Sequence, residues 1–323
     1  MGEFITLLRR GNRSALTAGI VNSIIAIIKT IAYTLTGNVA MFAEMMHSLG
    51  DAANQFFVFI GSALSKKAPT KRFPNGFGRL VNLVLLGAIL FVGIMAYETI
   101  HEGIGHIIDP SESTGFWITL SVLFAGVVLE SAVFFKAMKE IAHDAKLTAK
   151  GPRLILESFR SLKQAKPATR LVFLEDLVAT AGGIVAMIAV VISHVTPYHQ
   201  AEGIASVLIG LMMFYVVGNV FLQNAAGALG EADETMAARL GGLIMQDPDV
   251  RDISKLEVIK EGDHFHVEVE IEIDPAMTVA QADDIKDRLE LQLRIQQDIT
   301  DVTIGFDEDD QVQQYIVSTN EER

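Results

Sequence analysis

The chain has 323 residues, half of them hydrophobic, no cysteine and a formal net charge of −13. Residues 231–323 hold 25 acidic and 8 basic side chains, a net of −17, which leaves +4 on residues 1–230. The absence of cysteine excludes a disulfide scaffold, a thiolate zinc site, an iron–sulfur cluster and cysteine catalysis, and an acidic end argues against nucleic acid, which needs a basic face.

A membrane span needs about 20 mostly apolar residues. The hydropathy pattern predicts six, over 14–36, 38–63, 77–104, 115–141, 171–194 and 200–224. The first two are separated only by Thr36-Gly37-Asn38, so they are expected to form a tight helical hairpin. Lys and Arg are unevenly placed between the spans. Arg9, Arg10 and Arg13 precede the first, and Lys66, Lys67, Lys71 and Arg72 lie between the second and third. The connection between the fourth and fifth carries Lys139, Lys146, Lys150, Arg153, Arg160, Lys163, Lys166 and Arg170. Segments 36–38, 105–114 and 195–199 carry none. The positive-inside rule therefore puts both termini in the cytoplasm of a multi-pass protein, with the plasma or inner membrane as the expected location.

Beyond the last span the reading changes to a small α+β unit. Asp233–Met245 has helical spacing, Lys255–Lys260 and His264–Ile273 alternate as strands around a turn at Glu261-Gly262-Asp263, Ala280–Ile295 is amphipathic, and Asp301–Phe306 is a last short strand. The order α-β-β-α-β suits an open, ferredoxin-like sheet with helices on one face. The expected fold class is thus an α-helical membrane protein with six transmembrane helices plus a C-terminal cytoplasmic α+β domain. The expected division is 1–230, 231–312 and a disordered polar tail over 313–323.

Ionisable groups within spans are costly, so each one points to function. The second span holds Glu44, His47 and Asp51, the fifth Glu175 and Asp176, the first Lys29, the fourth Glu130, and the sixth starts with Glu202. His47 and Asp51 are four apart, about 40° in azimuth, on one helix face. An imidazole and a carboxylate so placed can share one divalent cation, with Asp176 as a third donor from the fifth span. His and carboxylates suit zinc and also manganese, iron or cobalt. The alternative is a buried hydrogen-bond cluster that ties the helices together. Lys29 is expected to pair with Glu44 or Glu130 rather than repel a cation as a ligand. Glu202 is expected to be solvated, and Met41, Met45 and Met46 to be packing residues.

The run Asn22…Lys29…Gly37-Asn38-Val39-Ala40-Met41-Phe42-Ala43-Glu44-Met45-Met46-His47-Ser48-Leu49-Gly50-Asp51…Asn54-Gln55 resembles the first two spans of the cation diffusion facilitator family. Phe73-Pro74-Asn75-Gly76-Phe77-Gly78-Arg79 resembles its loop between the second and third spans, and the six spans with an α-β-β-α-β tail complete the likeness. The resemblance implies a homodimeric transporter in a lipid bilayer that moves Zn²⁺, or Mn²⁺, Fe²⁺ or Co²⁺, out of the cytoplasm against protons. It implies no enzymatic activity and no cofactor beyond the transported ion.

Three departures from the family pattern matter. The family's His-x-x-x-Asp on the fifth span is Val172…Asp176 here, with Glu175 next to the acid, a pairing similar to the branch of the zinc transporter 9 proteins. The implied transport site is His47, Asp51 and Asp176, completed by water, Glu175 or Thr180. The family's loop metal site falls on Thr70, Phe73 and Phe77, which are not ligands, so that site is expected to be absent and the two rings to pack apolarly. His264 and His266 lie on a strand, but Asp283 stands where a His is common, so no tail metal site is expected. The resemblance also implies a dimer interlock of Arg79 with Glu231. The rival readings are a metal sensor or scaffold that has lost transport, and an intramembrane hydrolase, for which no His-Glu-x-x-His or Gly-x-Ser-x-Gly motif is present.

Overall fold

The computed structural model describes residues 6–74, 76–145, 151–162, 167–261, 264–296 and 298–315. Lys146, Lys150, Lys163 and Lys166, the Gly262-Asp263 part of the expected turn, and the end of the expected polar tail from residue 316 lie outside the described residues. The chain divides into two compact units, one of residues 1–63 and 84–224, the other of 64–83 and 225–323.

The first unit is helical. Its elements are α1 (Arg13–Thr36), α2 (Val39–Ser65), α3 (Leu80–Ile108), α4 (Phe116–Asp144), α5 (Pro152–Arg160), α6 (Pro167–Val195) and α7 (Gln200–Leu229), some of which run past its boundaries. α1 starts where Asn12 Oδ1 accepts from the Ala15 N–H at 3.1 Å. It stops at Gly37, whose left-handed φ of 65° lets its N–H reach the Tyr33 carbonyl. Asn38 Oδ1 then accepts from the Met41 N–H at 2.9 Å and starts α2, which gives the expected tight hairpin.

The burial pattern is inverted relative to a water-soluble bundle. α1 exposes Ile20, Ile24, Ile27, Ile28, Ile31 and Leu35 and buries Ala15, Gly19, Ala26, Lys29, Ala32 and Thr36. Exposed isoleucine is unfavourable in water and costs nothing in lipid, whereas small residues let helix backbones approach. The approach is close where α3 meets α7: a Cβ on Gly103 would lie 2.8 Å from the Gly203 carbonyl oxygen, and one on Gly203 2.6 Å from that of Gly103. Among the described residues five helices are long and apolar enough to span a membrane: α1, α3, α4, α6 and α7. α2 has 27 residues but carries Glu44, His47, Asp51, Asn54 and Gln55, which dilute its hydropathy.

α5 is an addition to the sequence-based expectation, which left this connection without structure. Leu154 of α5 is buried with Phe134, Met138, Ile141 and Phe173. Nine residues flanked by basic side chains are too few for a span and short for a recognisable helical period.

In the second unit, α8 (Glu234–Ile244), β1 (Asp252–Glu261), β2 (His264–Ile273), α9 (Val279–Arg294) and β3 (Ile299–Glu308) follow the expected α-β-β-α-β order. The sheet order is β1-β2-β3, with β1 antiparallel and β3 parallel to β2. One core takes Leu240 and Ile244 from α8, Ile285, Leu289 and Leu293 from α9, and Val258, Val267, Val269, Ile271, Val302 and Ile304 from the sheet. β2 has the expected bounds, whereas β1 and β3 start earlier than the alternation predicts. The register shifts between Ile253 and Lys255 on β1, and between Ile299 and Asp301 on β3. Each irregularity moves the inward parity by one, from Ile253 to Leu256 and Val258, and from Ile299 to Val302 and Ile304, so the alternation in sequence starts late.

Within this unit the Arg79 guanidinium is 3.0 Å from Glu261 Oε1 and lies beside Gly230. The intrachain partner of Arg79 is therefore Glu261, and Glu231 is exposed. Phe73 and Phe77 pack against each other with ring centroids 5.1 Å apart.

Candidate functional site

α2 places His47, Asp51 and Asn54 one below another, because positions four and seven apart return to the same helix face. His47 is buried, its Nε2 is 3.5 Å from Asp51 Oδ2, and the Asp51 side chain is 46% exposed. A cavity of about 40 Å³ opens against this face. Its polar lining is His47, Asp51, Asn54 and Glu175, and its apolar walls include Ile89 and Val92 of α3, Val178 of α6 and Met213 of α7. That volume exceeds the roughly 30 Å³ share of one water, so an ion or a water fits beside the donors.

The donors expected from sequence are not all drawn together equally. His47, Asp51 and Glu175 line the cavity, and Asp176 does not. Asp176 is half-buried, and its Oδ2 is buried without a hydrogen-bond partner among the described residues. Thr180 Oγ1 is likewise buried and unpartnered, and Val172 is 43% exposed. Among the described residues no three His, Asp or Glu side chains stand close enough to hold a bare ion in this state. Asn54 was not among the expected site residues. The signal that finds it is the 47, 51, 54 spacing, which puts a carboxamide on the same face one turn beyond Asp51.

A second charged group lies along the same helices. Lys29 Nζ donates to Glu44 Oε2 at 2.7 Å and to Glu130 Oε1 at 3.2 Å, so the lysine pairs with both expected acids. Lys29 and Glu44 are each 1% exposed. Glycines make the room: a Cβ on Gly126 would be 3.8 Å from Lys29 Nζ, one on Gly182 3.0 Å from Glu44 Oε1, and one on Gly183 3.3 Å from Glu130 Oε2. Met41 and Met45 are buried in helix packing. Glu202 corrects an expectation. It is 1% exposed rather than solvated, because Ser113 Oγ donates to its Oε1 at 2.9 Å across the helix ends.

In the second unit His266 Nδ1 is 3.0 Å from Asp301 Oδ2 on the neighbouring strand, so this imidazole is already engaged. Asp247 is 1% exposed at its side chain and receives Arg288 in a two-pronged contact, Nε to Oδ2 and one terminal nitrogen to Oδ1, both at 2.7 Å. The guanidinium holds the Asp247 carboxyl below the usual carboxylate range.

Comparison with known proteins places this geometry in context. Residues 15–226 match the cation efflux transmembrane domain, and residues 232–309 match the cytoplasmic domain of cation efflux proteins. The proton-coupled zinc antiporter SLC30A9, mitochondrial, of Mus musculus is 26% identical over 252 residues, covering 76% of this chain and 43% of the relative. Its Homo sapiens counterpart is 25% identical over 237 residues, covering 72% and 40%. The cation-efflux pump FieF of Pectobacterium atrosepticum is 24% identical over 300 residues, covering 91% of each chain. The chain thus spans less than half the length of the mammalian relatives and most of the bacterial one.

Proposed function

Because the chain belongs to the cation diffusion facilitator family of integral membrane cation-efflux proteins, we propose that it exports a divalent cation, Zn²⁺ foremost, by proton antiport. The observation that carries this reading is the cavity that His47 and Asp51 of α2 share with Glu175 of α6. α2 is the sixth span in this proposal. Its polar residues are the cost of carrying the site, and its apolar and small residues still bury against the other helices.

The donor chemistry gives the coupling. Carboxylates and imidazole bind a cation only when deprotonated, so metal entry releases protons and returning protons eject metal. A single imidazole among carboxylates is a harder donor set than the family's usual one, and it widens the range of ions toward Mn²⁺ and Fe²⁺. Asp176, just beside the cavity, is the donor that a movement of α6 would bring in, and Glu175 holds the position in the meantime. Both termini face the cytoplasm, and the cytoplasmic domain pairs two protomers. An Arg79–Glu231 interlock between protomers would have Arg79 shared with Glu261.

The test is metal flux into sealed proteoliposomes under a pH gradient. Saturable flux that Asp51→Asn or Asp176→Asn abolishes while dimer is retained supports the reading. Undiminished flux in both variants refutes the site. Metal binding with no flux in the parent protein would favour the sensor or scaffold reading, to which Val172 in place of an imidazole lends its weight.

A further inference from the structure

At the helix ends opposite the basic connections, three turns of the first unit are tied together. The Thr114 N–H donates to the Thr36 carbonyl at 3.0 Å. Asn38 Nδ2 donates to Ser113 Oγ at 3.1 Å, and Ser113 Oγ donates to Glu202 Oε1 at 2.9 Å. His106 Nε2 lies 3.2 Å from the His199 carbonyl oxygen. Against these turns lies a cavity of about 370 Å³, whose polar lining includes Glu112, Ser113, Ser193, His194, His199 and Glu202. It is separate from the cavity at His47 and shares no lining residue with it.

Three properties of this cavity point to a cation. First, Glu202 is 1% exposed, and its Oε2 is buried without a hydrogen-bond partner among the described residues. A desolvated carboxylate oxygen on a residue that lines a cavity is costly unless something there compensates it. Second, segments 36–38, 105–114 and 195–199 contain no Lys or Arg, so no side-chain ammonium or guanidinium from these turns supplies the compensation. Third, a second acid and an imidazole stand at the same place: His199 Nε2 is 3.7 Å from Glu112 Oε1, and its Nδ1 is 3.3 Å from Ser193 Oγ.

The form of the cation follows from size. No three carboxylate and imidazole groups among the described residues are close enough to wrap a bare ion. The cavity is much larger than the roughly 180 Å³ that six waters occupy at about 30 Å³ each. Hard divalent ions keep several waters and are often held by one or two carboxylates. We infer that this cavity binds one hydrated divalent cation, held through its water shell by Glu112, Glu202 and His199. Such an ion links the α3–α4 connection, through Glu112, to the start of α7, through Glu202. It therefore fastens the end of the bundle that must open if α3 and α7 are to part. Binding there depends on these donors alone and not on the direction of transport.

The experiment is a Mn²⁺ titration of the full-length protein in nanodiscs, followed by the electron paramagnetic resonance of free Mn²⁺. It is run in an Asp51→Asn/Asp176→Asn background, which removes the proposed transport site. Adding Glu112→Gln and Glu202→Gln is expected to remove one further Mn²⁺ per protomer. Unchanged stoichiometry and affinity on that addition would overturn the inference. Glu112 is 84% exposed at its side chain, so Glu112→Gln alone keeps the test open where the double substitution does not fold, and it is expected to weaken binding at least tenfold. Pulsed resonance of the bound ion is expected to show exchangeable water protons. A directly bonded imidazole nitrogen would overturn the hydrated form. Should the Asp51→Asn/Asp176→Asn protein bind as many ions as the parent, it is the transport site that fails, while the step lost with Glu112 and Glu202 still decides this one.

Discussion

Replacing Lys29 by methionine removes the positive charge from a cluster that holds α1, α2 and α4 together. Lys29 Nζ is 2.7 Å from Glu44 and 3.2 Å from Glu130, and the side chains of Lys29 and Glu44 are 2% and 1% exposed. Glu44 Oε1 and Glu130 Oε2 already lack partners among the described residues, so loss of the ammonium strands both acids. Breaking a buried ion pair by removing one member costs about 3–5 kcal/mol. At 1.4 kcal/mol per power of ten, that is roughly a 10²- to 4 × 10³-fold fall in the ratio of folded to unfolded protein. Replacing a whole buried ionic cluster by neutral groups is often neutral or even stabilising, by about 1–4 kcal/mol. The series Lys29→Met, Lys29→Met/Glu44→Gln and Lys29→Met/Glu44→Gln/Glu130→Gln should therefore fall steeply and then recover. Thermal unfolding of the purified protein in detergent, with the yield of dimer, reads both limbs. A single variant as stable as the parent, or a triple variant no better than the single, refutes the claim that desolvated charge sets this energy. Flux measured on the recovered triple variant then shows whether the cluster also takes part in transport.

Three further outcomes follow from particular contacts. Gly203→Leu should separate α3 from α7, since even a Cβ at this position falls 2.6 Å from a backbone oxygen; cysteine cross-linking between the two helices is expected to fall, and an unchanged cross-link yield would count against the close crossing. Arg288→Gln should destabilise the second unit by about 1.5–3 kcal/mol, the range for hydrogen bonds to charged groups, toward the low end because the Arg288 side chain is 41% exposed. The Asp247 carboxyl is held down in the folded state, so this contribution is present above the ordinary carboxylate range and is lost as pH falls through the depressed value; denaturation of parent and variant from pH 7 downward should converge in acid. Burial, with Asp310, Asp252, Asp309 and Asp307 nearby, raises the Glu272 carboxyl, so its stabilisation is present below the ordinary glutamate range and is lost as pH rises from there through the raised folded-state value; Glu272→Gln should raise the melting temperature at neutral pH and leave it unchanged at low pH.

How much of this was legible in the sequence depends on how local the cause is. The helices were readable because lipid-facing isoleucine and leucine run for 20 residues or more, and the Thr36-Gly37-Asn38 turn because glycine's left-handed φ and an Asx cap are set within four residues. The bounds of β2 were readable too, but the start of β1 was not, because a register shift between Ile253 and Lys255 reverses inward and outward parity while leaving the composition alone. Lys29 was assigned to the right acids from charge balance alone, but its use of both at once depends on glycines at 126, 182 and 183, which are remote in sequence from it.

The candidate site shows the same division more sharply. His47 and Asp51 share a helix face by their spacing, and that spacing extends to Asn54 without help from any other element. On α6, helical geometry says only that Glu175 and Asp176 point about 100° apart; which of them meets His47 depends on how α6 is rotated against α2. In this state the rotation favours Glu175 at the cavity. Bringing Asp176 to the place Glu175 holds would take a turn of α6 of about 100° about its own axis, so the one-residue offset between the two acids decides which of them this packing offers to His47 and Asp51.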